Sequence, residues 1–111
     1  PRATGMKRAM EIALLGDRFD VATAERWGLV NRVVGDGELD TETETLAAHL
    51  AAGPTHAYAH TKALMNESLS NTLHQQLDAE TLAFADCAVT DDFNEGVTAF
   101  NAKRKPEFKG R

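Results

Sequence analysis

Residues 16–34, Gly-Asp-Arg-Phe-Asp-Val-Ala-Thr-Ala-Glu-Arg-Trp-Gly-Leu-Val-Asn-Arg-Val-Val, decide the fold class. They hold both a helix signal and the most β-branched run of the chain. Asp20 is a good N-cap for a short helix over Val21 to Trp27, because its carboxylate can accept an orphan backbone N–H, and Gly28 supplies the stop. Residues 29–34 then carry Val30, Val33 and Val34, which suit extended backbone. A lone strand has no pairing partner within the chain, so this segment should lie as an extended linker or pair with something outside it.

Outward from that stretch the periodicity is helical. Met6, Ala9, Met10, Ala13 and Leu14 recur at helical spacing before the Gly16 stop. Leu39, Leu46, Ala47 and Leu50 mark one face of a helix ending at Gly53. Pro54 sits where a first turn tolerates it, and Ala57, Tyr58, Thr61, Leu64, Met65 and Leu69 continue as the next helix. Ser70 or Asn71 should break that helix and cap another, striped by Leu73, Leu77, Phe84 and Ala88 as far as about Val89. Thr90 should cap a last helix with Asp91 and Asp92 in its first turn, Phe93, Val97 and Phe100 on its apolar face, and Pro106 past its end. The expectation is an all-α fold of five or six helices with one short extended segment near 29–34, forming a single domain over 1–111 with antiparallel neighbours.

Composition narrows the function. The 111 residues are 42% hydrophobic and 26% charged, with a formal net charge of −5. An acidic chain is a poor general partner for nucleic acid, since neutralising phosphates requires a basic surface. Lys103, Arg104, Lys105, Lys109 and Arg111 nevertheless crowd the end, opposed only by Glu107, as a local phosphate site or as cations complementing a helix dipole. The single cysteine, Cys87, forms no intrachain disulfide and reads as a small core residue, so a reducing cytoplasmic location is expected. No apolar run is long enough to span a membrane. Because the chain begins at Pro1 rather than Met, it reads as a processed chain or an excised domain.

Two stretches carry a family resemblance. Residues 16–34, with Arg8-Ala9-Met10-Glu11 just upstream, resemble the crotonase-family segment that follows the catalytic core: a turn, a short helix and "GLVNRVV". Residues 91–108, from Asp91-Asp92-Phe93 through Glu95-Gly96 to Ala99-Phe100, Lys103-Arg104 and Pro106-Glu107-Phe108, resemble that family's closing "D-(F/x)-x-E-G-(V/x)-x-A-F-x-x-K-R-x-P-x-F". Residues 46–54 and Thr61-Lys62 follow the family's middle helices at similar distances. The chain is thus identified as similar to the C-terminal helical part of an enoyl-CoA hydratase or isomerase. Ala13 to Gly16, Arg26-Trp27-Gly28 and residues 71–78 lean towards members that isomerise ring epoxides of phenylacetyl-CoA.

The resemblance implies an acyl-CoA thioester substrate, an enolate held by two backbone N–H groups, and in hydratases a pair of glutamates. In the family those groups lie upstream of the motif around Gly16. No catalytic residue is therefore assigned, and the chain alone is expected to be inactive. The family's last helix places a Phe and a Lys on the CoA of a neighbouring subunit; the matching positions are Phe100 and Lys103. Its C-terminal helices pack between the subunits of a homo-trimer or hexamer. No cofactor is implied. Trp27 suits packing better than an acyl pocket.

Other constellations carry less. His56 and His60, spaced i, i+4, share a helix face, but with no nearby Glu or Asp to complete a site and no metal assigned. His49 and His74 suit the surface. Asp91, Asp92 and Glu95 fit a helix start. Two alternatives remain: a stand-alone helical protein-interaction module, and a helix-turn-helix built on Ala24 and Gly28, which would need a helix over 29–40.

Overall fold

The computed structural model describes residues 1–111 and is all-helical: α1 Met6–Leu15, α2 Val21–Arg26, α3 Leu39–Ala51, α4 Thr55–Glu67, α5 Leu73–Ala88 and α6 Asp91–Asn101. It has no strand. Contacts divide it into two compact units, Pro1–Glu42 and Thr43–Arg111, with α3 running from the first into the second.

In the first unit, the Asp20 carboxylate accepts the Thr23 N–H at 2.8 Å and starts α2 as expected. The helix stops in a Schellman motif. Gly28 adopts φ +72°, its N–H donates to the Glu25 carbonyl, and the Leu29 N–H donates to the Ala24 carbonyl. A Cβ at Gly28 would also meet the Ala3 carbonyl at 3.1 Å, so conformation and space both ask for glycine. The valine-rich segment 29–34 forms no ladder; the Val33 N–H instead donates to the Glu25 carboxylate at 3.1 Å, and Arg32 pairs with Glu42. After α2 no helix begins before Leu39, so the recognition helix required by a helix-turn-helix reading is absent. Trp27 is half-buried, its ring 4.8 Å from that of Phe19 with the Arg8 guanidinium 4.6 Å above it, which is a packing role.

In the second unit α5 packs against both α4 and α6. The start of α5 differs from the expectation. The cap is Thr72, not Ser70 or Asn71, and it forms a capping box with Gln75: the Gln75 N–H donates to the Thr72 hydroxyl and the Thr72 N–H to the Gln75 side chain. Thr90 caps α6, accepting the Phe93 N–H at 3.1 Å. Thr90→Ala should cost about 1 kcal/mol, because an orphan N–H loses its acceptor. A urea midpoint unchanged in that variant would show the cap to be redundant.

Very little side-chain surface is fully buried. Ala83 and Ala99 are the only buried apolar side chains, and Asp92 the only buried charge. Large apolar residues stay open to solvent on every helix, including Leu14 at 77%, Leu73 and Leu82, and so does Val89 at the end of α5. Globular monomers seldom leave this many large apolar side chains uncovered. No helix is long and apolar enough to cross a membrane.

Candidate functional site

The end of α6 is built by a chain reversal. After Asn101 the backbone closes a second Schellman motif: the Lys103 N–H donates to the Phe100 carbonyl at 3.1 Å and the Arg104 N–H to the Ala99 carbonyl at 3.0 Å. Its left-handed position is Lys103, at φ +54°, the only non-glycine residue of the chain at positive φ. The same motif closes α2 with Gly28, so here a lysine occupies a place that glycine fills more cheaply, at a cost of roughly 1 kcal/mol.

Residues 104–111 then fold back along α6. Arg104 makes a fork with Glu95, at 2.6 and 2.8 Å, and the Glu107 N–H donates to the same carboxylate at 2.8 Å. The Asp92 carboxylate, only 4% exposed, accepts the Lys109 and Gly110 N–H groups at 2.6 and 2.8 Å, while its own N–H donates to the Arg111 carbonyl. The acidic trio therefore does more than complement a helix dipole, since Asp92 and Glu95 fasten the tail.

The Arg104 fork, and after it the Glu107 N–H, lowers the Glu95 pKa from the usual 4.5 to about 2. A depressed folded-state pKa stabilises the clasp fully above the unfolded value near 4.5, and that stabilisation is lost as pH falls towards about 2. Glu95→Gln should flatten the stability profile in that window. A wild-type-minus-variant difference that stays constant through it would contradict the assignment.

The basic end does not form a general anion site. Arg104 is held by Glu95 and Arg111 lies 3.9 Å from Asp91. The hollow beside them is lined by Asp91, Asp92, Glu95 and Glu107 against Arg104 and Lys109, an acidic balance. Lys103 and Phe100 remain outside these pairs. Both are exposed, Phe100 to 84%.

A second cluster departs from the sequence expectation. His56 and His60 of α4 meet a carboxylate from α5: Asp86 Oδ2 lies 2.9 Å from His56 Nε2 and 2.7 Å from His60 Nε2. A carboxylate only accepts, so both rings donate to it. The His60 and then the His56 hydrogen bond hold the Asp86 pKa below its usual value. Cys87, expected as a core residue, is half-buried and reaches the same place; its sulfur and one nitrogen of each ring lie within 4.8 Å of one another. No sequence signal pointed to Asp86, which is 26 and 30 residues from the histidines it joins. His49 and His74 are at the surface as expected.

With this geometry in place, known proteins give the family. The family described as enoyl-CoA hydratase/isomerase matches residues 1–111. The 1,2-epoxyphenylacetyl-CoA isomerase of Escherichia coli is 40% identical over 111 residues, covering all of this chain and 42% of that protein. A probable enoyl-CoA hydratase of Rhodobacter capsulatus is also 40% identical, with 43% of its length covered. Among solved structures, an enoyl-CoA hydratase/isomerase from Mycobacterium abscessus superposes with a TM-score of 0.96 at 39% identity, covering all of this chain and 43% of the other. A Streptomyces coelicolor enoyl-CoA hydratase gives 0.94 at 35% identity, over all of this chain and 40% of that one. The chain thus spans less than half the length of the relatives it matches, and over that whole span it belongs to the enoyl-CoA hydratase/isomerase family.

Proposed function

We propose that this chain is the helical assembly part of an enzyme acting on acyl-CoA thioesters, placed C-terminal to the catalytic groups, and that it completes a CoA site without performing the chemistry. Phe100 and Lys103 are the contacts: the ammonium for a nucleotide phosphate, the ring for the pantetheine or acyl arm. The carrying observation is Lys103 at φ +54° beside a Phe100 exposed to 84%. Backbone strain at a residue that glycine would relieve is a reason to look for a role in its side chain.

The open apolar faces support assembly. Surface of this kind is stable when covered, by the rest of a longer chain or by neighbouring subunits of a homo-trimer or hexamer. The lean towards ring-epoxide isomerisation rests on the wording of residues 13–16, 26–28 and 71–78. The two relatives at 40% identity carry different reactions in their names, so the family-level reaction is the reading adopted.

The test uses the full-length protein that contains these residues. Phe100→Ala should raise KM for its acyl-CoA about tenfold with a smaller change in kcat, as covering a phenylalanine ring contributes roughly 1.5–3 kcal/mol. An unchanged KM would remove Phe100 from the site. Co-purification of that protein as a monomer at micromolar concentration would remove the assembly role.

A further inference from the structure

The cluster between α4 and α5 lies apart from the α6 end that the proposed function uses. We propose that His56, His60 and Cys87 form a binding site for a single zinc-class divalent ion, supported by Asp86.

The donor set is specific. Two imidazoles and a thiol are borderline-to-soft ligands, which suit Zn²⁺ or Co²⁺ and not the oxygen-seeking Ca²⁺ or Mg²⁺. His56 and His60 stand one turn apart on α4, and their rings lie 5.0 Å apart at the centroids, edge to face. The donor atoms of the three residues already lie within 4.8 Å of one another. Tetrahedral zinc with Zn–N near 2.0 Å and Zn–S near 2.3 Å needs donors about 3.3–3.7 Å apart. The widest separation would contract by about 1.1–1.5 Å, a shift on the scale of side-chain rotation, and the histidine side chains are 38% and 31% exposed, which leaves room for it.

Asp86 supplies what such sites usually carry. A ligating histidine is normally oriented by a carboxylate on its ring, and here one carboxylate serves both rings. With the Cys87 thiolate it offers two negative charges against the two positive charges of the ion, so binding leaves no net charge on the cluster. On binding, the thiol gives up its proton to solvent and the sulfur–metal bond forms; nothing is oxidised or reduced. The part-exposed histidine rings leave the cluster open to an ion from solvent, while His56 and Cys87 also border an apolar groove of about 280 Å³. Two helices joined through four side chains would then be held by the ion as well as by packing.

The probe is Co²⁺ added alone to tag-free, chelator-stripped full-length protein. The expected result is a near-ultraviolet thiolate-to-cobalt charge-transfer band that saturates at one ion per chain and is displaced by Zn²⁺. Cys87→Ser should abolish the band. Asp86→Asn should keep it but weaken binding by about 10–100-fold, the usual effect of removing an outer carboxylate. Should these variants fail to fold, the wild-type protein suffices: Zn²⁺ should slow thiol labelling of Cys87, located by mass spectrometry, and a chelator should restore it. Saturating Co²⁺ without a charge-transfer band that depends on Cys87, or Cys87 labelling unaffected by Zn²⁺, would overturn the site and leave a hydrogen-bonded His–Asp–His cluster.

Discussion

The isolated 111-residue chain should turn over crotonyl-CoA no faster than buffer, while the full-length protein containing it should be active. The expectation follows from the kinds of group the reaction needs. Enolate formation from a thioester requires two N–H donors aimed at the developing oxyanion, and losing one such donor costs about 10²–10³-fold. Positioned acid/base groups contribute about 10²–10⁴-fold more. Several glutamates are instead engaged in local structure: Glu25 accepts from Val33, Glu38 from Gly35, Glu42 from Arg32, and Glu95 from Arg104. The His56–Asp86–His60 cluster is an acid/base grouping in the abstract, but Asp86 is committed to both rings. Turnover by the isolated chain above the buffer rate would place chemistry within it and end the assembly reading.

The second large effect is expected at Lys103. In the full-length enzyme, Lys103→Met should raise KM for an acyl-CoA about 10–100-fold and leave kcat within a factor of about three, because a charge-assisted contact to a phosphate far from the reacting carbon binds ground state and transition state alike. The wild-type KM should rise with salt, and that dependence should shrink in the variant. Lys105 is the natural control, being a nearby lysine with no ion pair and no left-handed backbone; Lys105→Met should change KM little. Equal effects from both substitutions would mean diffuse electrostatics in place of a contact at Lys103.

Most of the fold was legible because its signals are local. Asp20, Thr90, Gly16 and Gly28 act within one helical turn, and each does what its chemistry suggests. The misplaced cap before α5 was also local. Thr72 with Gln75 three residues on satisfies the capping-box pattern, whereas Ser70 and Asn71 are polar residues whose N–H groups still donate back to Glu67. Segment 29–34 read as extended, and stayed without a ladder because no partner strand exists in the chain.

The sites were less legible, for a geometric reason. Glu95 meets Arg104 only because the chain reverses after α6, and Asp92 reaches Lys109 and Gly110 by the same reversal. Asp86 and Cys87 meet the histidines only when α4 and α5 lie side by side. Helical periodicity identifies faces but not which faces meet. The left-handed backbone of Lys103 carries no sequence signal either, since lysine is not a residue that announces positive φ.

That backbone supplies the most direct measurement. Lys103→Gly in the full-length protein relieves the left-handed strain and removes the ammonium together, so stability and CoA affinity are predicted to move in opposite directions. Thermal unfolding should shift upward, by roughly 0.5–1 kcal/mol in stability, while calorimetric titration with CoA should show affinity reduced about tenfold or more, the loss of one charge-assisted contact. Higher stability with unchanged CoA affinity would contradict the account, since Lys103 would then be no more than a poor helix cap.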